Sequence, residues 1–183
     1  MIYQLSLQTT GLAAGLLLIL SHALGVLKPS VSINLARAFP RSRMAGTVLL
    51  VVAAVWSFLL VTDIDLGEFS RLRNVMLAGI VAGAVLSWMY VEEFLAVRAL
   101  GMLLLLASEP LLESCALRPE ESRLLLVALA YAWIIAGLFL VGMPYILRDA
   151  IKTLSSKSGV WRIAALGGLV YGAILTTAAL LWW

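Results

Sequence analysis

The chain has 183 residues, of which 63% are apolar and only 13% charged, and its mean hydropathy is +1.04. A soluble domain of this size carries about 45–50% apolar residues, glycine included, and about 25% charged ones, so a soluble globular protein is excluded, as is a disordered chain, which needs low hydrophobicity and high charge. The net charge of +3 does not imply nucleic acid, because a basic excess on cytoplasmic loops is ordinary for helical membrane proteins; what remains is an all-α integral membrane protein.

A hydrocarbon core of about 30 Å takes roughly 20 helical residues to cross. Six runs of about that length follow one another along the chain. The first, 8–27, stops at Lys28-Pro29. No Lys or Arg precedes it and it exceeds the 7–15 residues of a signal h-region, so it reads as a retained span rather than a cleaved signal. The second covers 45–62 and the third 74–91. The fourth, 94–112, is separated from the third only by Glu92-Glu93 and contains Arg98, Glu109 and Pro110. A tilted span is expected there, with a re-entrant segment as the alternative. The fifth, 124–143, stops at Pro144, and the sixth covers 163–183. Apolar residues in these runs surround the helix rather than forming one stripe, as suits lipid on most sides. They also lack the alternating ten-residue segments of a membrane barrel. The expected architecture is one polytopic domain over 1–183, a bundle of six transmembrane helices, with no room left for a soluble catalytic domain.

The charges sort by side. Lys28, Arg37, Arg41, Arg43, Arg98, Arg148, Lys152, Lys157 and Arg162 fall on one side of a six-span topology, and Arg71, Arg73, Arg118 and Arg123 on the other. The side rich in Lys and Arg is expected to be cytoplasmic. That places both termini outside an inner (plasma) membrane. The two basic loops carry their own helical pattern. Val31, Leu35 and Phe39 recur every four residues in one, and Leu147, Ala150, Ile151 and Leu154 form a stripe in the other. Apolar positions at that spacing under basic residues predict two short cytoplasmic helices lying in the membrane interface. Lys28, Arg37, Arg41, Arg43, Arg148 and Lys152 can then meet anionic lipid headgroups, or simply fix topology and depth.

Candidate chemistry is sparse. His22 is the only histidine and sits late in the first span; it reads either as a helix-packing histidine or as a ligand to a haem or chlorophyll-type pigment. No cofactor is otherwise expected. Arg98 lies about one turn inside the fourth span, where a charge costs roughly 2.5–3.5 kcal/mol unless it snorkels to the surface. Glu92 and Glu93 stand at that surface, and with Glu109 beside Pro110 they define the polar candidates for a transport or lipid-handling path. The bland alternative is a topological lock at one end and a span end meeting water at the other. Asp63, Asp65 and Glu68 read as a solvated loop, since hard cations need more converging oxygens than D-x-D supplies. The single Cys115 permits neither an internal disulfide nor a multi-cysteine metal site.

Small-residue spacing is better represented. Gly11 and Gly15, Gly79 and Gly83, and Gly168 and Gly172 are each four apart, a spacing that lets helix backbones approach closely within a chain or between chains. Trp161, Trp182, Trp183, Tyr90 and Tyr145 fall near span ends as interfacial aromatics, whereas Trp56, Trp88 and Trp133 lie deeper and read as packing residues. No H-E-x-x-H, G-x-S-x-G or Walker loop is present, so an enzyme is not favoured. The expectation is a non-catalytic structural or accessory subunit of a membrane complex, partnered by other subunits or by copies of itself.

Overall fold

The computed structural model describes residues 3, 5–91 and 93–183. Helices account for 86% of it, and there is no strand among the described residues. Six helices are long and apolar enough to cross a membrane, the pattern of a multi-pass membrane protein. They are α1 (Leu7–Leu27), α3 (Arg43–Asp63), α4 (Arg73–Tyr90), α5 (Leu95–Cys115), α6 (Arg123–Gly142) and α8 (Ser158–Leu181). Two shorter helices, α2 (Pro29–Ala38) and α7 (Tyr145–Leu154), occupy the two basic loops. Short 3-10 segments, Phe39–Arg41 and Gly67–Leu72, complete the chain.

Local chemistry sets the helix ends. Ser6 Oγ accepts from Thr9 N at 3.1 Å and Ser42 Oγ from Ala45 N at 3.2 Å, each satisfying one of the orphan amide donors at a helix start. Pro29 sits in the first turn of α2, where a missing N–H costs nothing. The sixth long helix begins earlier than its apolar run implies. Ser158 and Gly159, expected in a loop, form the first turn of α8. Trp161, one turn further on, donates to Ser32 Oγ at 2.7 Å and ties this turn to α2.

The helices pack as two antiparallel pairs, α1 with α8 and α5 with α6, and α3 leans on α5. One core joins the pairs: Leu18 of α1, Leu111 of α5, Leu126 and Ala130 of α6, and Leu175 of α8. A second, smaller core joins Leu50 of α3 to Leu95 and Ala99 of α5. Backbone contact makes the pairs close. A Cβ on Gly15 would stand 2.8 Å from the Gly172 carbonyl oxygen, and one on Gly172 would stand 2.8 Å from that of Gly15. Gly101 and Gly137 face each other in the same reciprocal way at 2.9 and 2.8 Å. Only glycine fits at such a crossing, which lets dispersion contacts accumulate along the whole helix length.

The fourth span of the sequence is the centre of the bundle. α5 is one unbroken helix of 21 residues and carries the largest buried share of the six. It passes through Pro110, which has no N–H for the Leu106 carbonyl. Nearby, Ser108 Oγ lies 2.7 Å from the Leu104 carbonyl of its own helix and 3.2 Å from that of Ala130 on α6. Phe94, just before α5, adopts φ +59°, a left-handed conformation costing a bulky residue about 1–3 kcal/mol.

α4 is the opposite case. None of its residues is buried. Its main neighbour among the long helices is α3, and the α3–α4 pair borders grooves of about 410 and 380 Å³.

Candidate functional site

His22 is held by its own helix. Its Nδ1 lies 2.9 Å from the Leu18 carbonyl and 3.0 Å from Ser21 Oγ, so the tautomer that donates from Nδ1 fits the helix carbonyl. Its ring packs against Gly168 of α8 so closely that a Cβ there would overlap it. Gly168 thus serves to seat the imidazole, and the Gly168/Gly172 spacing serves two different neighbours. Beside His22 lies a cavity of about 420 Å³ lined by Leu24, Leu35, Leu154, Trp161 and Ala165. No group of three or more His, Cys, Asp or Glu side chains able to hold a metal ion occurs among the described residues.

The polar candidates on α5 lie at different depths. Arg98 and Glu109 are eleven residues apart, about 16 Å along the axis at 1.5 Å per residue. Arg98 lines a shallow recess with Tyr90, Val91 and Glu93; its Nε is buried without a hydrogen bond among the described residues. Glu92 lies outside the described residues. Glu109 belongs to the other end, where the chain start gathers. Tyr3 N donates to Glu113 Oε2 at 3.2 Å, and Trp56 Nε1 donates to Tyr3 Oη at 2.7 Å. Burial raises the Tyr3 phenol above its ordinary 10.0, opposed by the Trp56 hydrogen bond and reinforced by the negative charges of Glu109 and Glu113. Trp56 is therefore a tether for the chain start. Trp88, 47% exposed, carries the Arg43 guanidinium 5.9 Å from its ring centroid; Trp133 packs on the main core. Gly11 faces the Trp183 ring, whose Nε1 donates to Ser122 Oγ at 2.6 Å.

Three arginines close helix ends, a role that charge counting alone did not reveal. Arg73 donates to the Thr62 and Ile64 carbonyls at 2.9 and 2.7 Å at the end of α3. Arg123 donates to the Cys115 carbonyl at 2.9 Å at the end of α5. Arg37 of α2 reaches Ser155 at the end of α7, with Nε and Nη2 3.0 and 2.8 Å from Oγ and Nη2 3.2 Å from the carbonyl. The last carbonyls of a helix lack intrahelical donors, and a cation there also meets the negative end of the dipole. Each partner lies far enough away in sequence that no local motif announces it.

Two features remain unspent by internal packing. The first is the groove of about 410 Å³ between α3, α4 and α5. Ala53 and Ser57 on α3, and Gly79, Gly83 and Ser87 on α4, line it at helical spacing. A Cβ added to Gly79 or Gly83 would meet nothing within 4 Å; this third glycine pair makes no close approach within the chain. The second is a basic notch of about 220 Å³ lined by Arg37, Pro40, Arg41, Phe94, Arg148, Ile151 and Lys152. Lys28 and Arg43 are not among its walls. Neither α2 nor α7 is deeply packed: α2 buries no residue and α7 buries Ile151, which leaves both helices at the edge of the bundle. No protein-family model, curated protein sequence or solved structure matches the chain.

Proposed function

We propose that this chain is a non-catalytic, multi-pass accessory subunit of an inner-membrane complex, and that it works by receiving a helix of another membrane protein in the groove between α3, α4 and α5. The observation that carries the reading is α4, an apolar helix none of whose residues is buried. Its small-residue stripe matches in spacing the stripes that the chain uses to seat α1 on α8. Helices in lipid associate through close packing of such faces rather than through hydrophobic burial. An unused face of this kind on a bundle of membrane-length helices with short connections favours association over catalysis. The separation of Arg98 from Glu109 gives no support to a continuous transport path. In this reading α2 and α7 are cytoplasmic and both termini lie outside, following the excess of basic residues at the α2–α7 end.

The test is extraction in mild detergent followed by native mass measurement of the wild-type chain and of two variants. Gly83→Leu puts bulk into the groove from a position where a Cβ meets nothing within 4 Å, and Gly167→Leu adds the same bulk at another such glycine, on α8. The reading expects a stoichiometric second membrane chain with the wild type and Gly167→Leu, and its loss with Gly83→Leu. A lone monomer, a chain paired only with itself, or a partner retained by Gly83→Leu overturns it.

A further inference from the structure

We infer that the basic notch between α2 and α7 is a binding site for a phosphate-bearing anion of headgroup size. The inference is independent of the helix-docking reading, since it concerns another part of the surface. Four cations line the notch, Arg37 of α2, Arg41 of the 3-10 segment after it, and Arg148 and Lys152 of α7, and no carboxylate among the described residues lines it with them. The nearest acid in sequence, Asp149, is held by Arg148 through a contact of 2.9 Å. Like charges set around one small space repel one another unless an anion stands between them. Arg41 and Lys152 form no hydrogen bond or ion pair among the described residues.

The notch is also built rather than improvised. Arg37 is fixed by three contacts to Ser155, which is itself buried, and those contacts use only its Nε and Nη2. The rest of its five-donor fork remains available. Arg148 has its guanidinium carbon 5.8 Å from the centroid of the Phe94 ring, and Phe94 is placed by its left-handed backbone. Arginine forks pair with phosphate through parallel hydrogen bonds, and lysine adds a mobile point charge. A volume of about 220 Å³ falls below the roughly 300–1,000 Å³ of sites for whole drug-sized ligands; it suits a phosphate with its first attached atoms. Pro40, Phe94 and Ile151 supply the apolar wall that those atoms would meet. Two sources share this chemistry, a phospholipid headgroup and a soluble phosphate.

The experiment uses the full chain in nanodiscs of phosphatidylcholine, titrated with phosphatidic acid in one arm and with inorganic phosphate in the other. Binding is read by native mass spectrometry. The variants are Arg41→Gln/Lys152→Gln, both exposed positions in the notch, and Lys157→Gln/Arg162→Gln, exposed positions outside it. The inference predicts a retained anion on the wild type and the second variant, weakened at least tenfold by the first. Retention of the lipid alone assigns the site to a headgroup, and retention of inorganic phosphate assigns it to a soluble ligand. Binding of neither, or equal weakening by both variants, overturns the inference.

Discussion

The α1–α8 pair and the α4 helix use the same sequence device with opposite results. In the pair, Gly15 and Gly172 bring two backbones together until each glycine carbonyl stands 2.8 Å from where a Cβ on the other would lie. On α4, Gly79 and Gly83 have the same spacing and face an open groove. The difference teaches that small-residue spacing specifies a capacity for close approach and leaves the partner to be decided elsewhere. It also divides the molecule into a closed half, stapled by α5, and a flank, α4, none of whose residues is buried.

The sharpest way to break that comparison is to add the same side chain to both halves. Gly172→Leu should destabilise the fold by about 3 kcal/mol, since it forces bulk into a filled crossing. Gly83→Leu in the isolated chain should leave stability unchanged or raise it by up to about 1 kcal/mol, because leucine favours the helix over glycine. Denaturant titration of the purified chains in detergent measures both. Equal losses would mean that α4 is as closely packed as α8.

The next effect concerns the helix ends that meet water. Arg123→Ala removes the guanidinium from the Cys115 carbonyl and should cost about 1–2 kcal/mol, in the range for a hydrogen bond to a charged group after allowance for partial exposure. Lys at the same position should recover part of that loss, and a stability equal to wild type in the Ala variant would remove the capping role. A smaller effect is expected from Trp56→Phe, which deletes the donor to Tyr3 and should cost about 1 kcal/mol. Faster proteolysis within the first residues of the variant is the accompanying readout; protection equal to wild type would contradict the tether.

The smallest effect is a pH dependence at the same tether. The folded Tyr3 phenol lies above 10.0, so the folded state holds its proton more tightly than the unfolded chain. That contribution is fully present below pH 10 and is lost as pH rises through the folded value. Stability should therefore be flat across neutral pH and fall slightly above pH 10, with the slope reduced in Tyr3→Phe. A slope unaffected by that substitution would assign the titration to another group.

Much of the architecture is legible in the sequence because lipid-length apolar runs and basic amphipathic stripes are local patterns. The six long helices and the helices α2 and α7 follow from them directly. What is not local is not legible. Gly101 and Gly137 form one of the tightest crossings, yet Gly101 is the one glycine of α5 and Gly137 stands five residues from Gly142 in α6, so neither belongs to a four-residue spacing motif. Arg73, Arg123 and Arg37 read as loop charges until their carbonyl partners are located. The segment with Arg98, Glu109 and Pro110 looked least like an ordinary span because of its polar content. It is the most buried helix; Arg98 lies in its first turn, and its buried Ser108 is met by the backbone carbonyls of Leu104 and Ala130. The third glycine pair shows the same limit in reverse, since its spacing implies packing that the chain itself does not provide.

The most direct test of the account places a photo-crosslinking amino acid at position 83 in one protein and at position 167 in another, in cells that make the chain. The account predicts a discrete protein adduct, with a membrane chain other than itself, from position 83 and none from position 167. Only lipid adducts at position 83, or the same protein adduct from both positions, would contradict it.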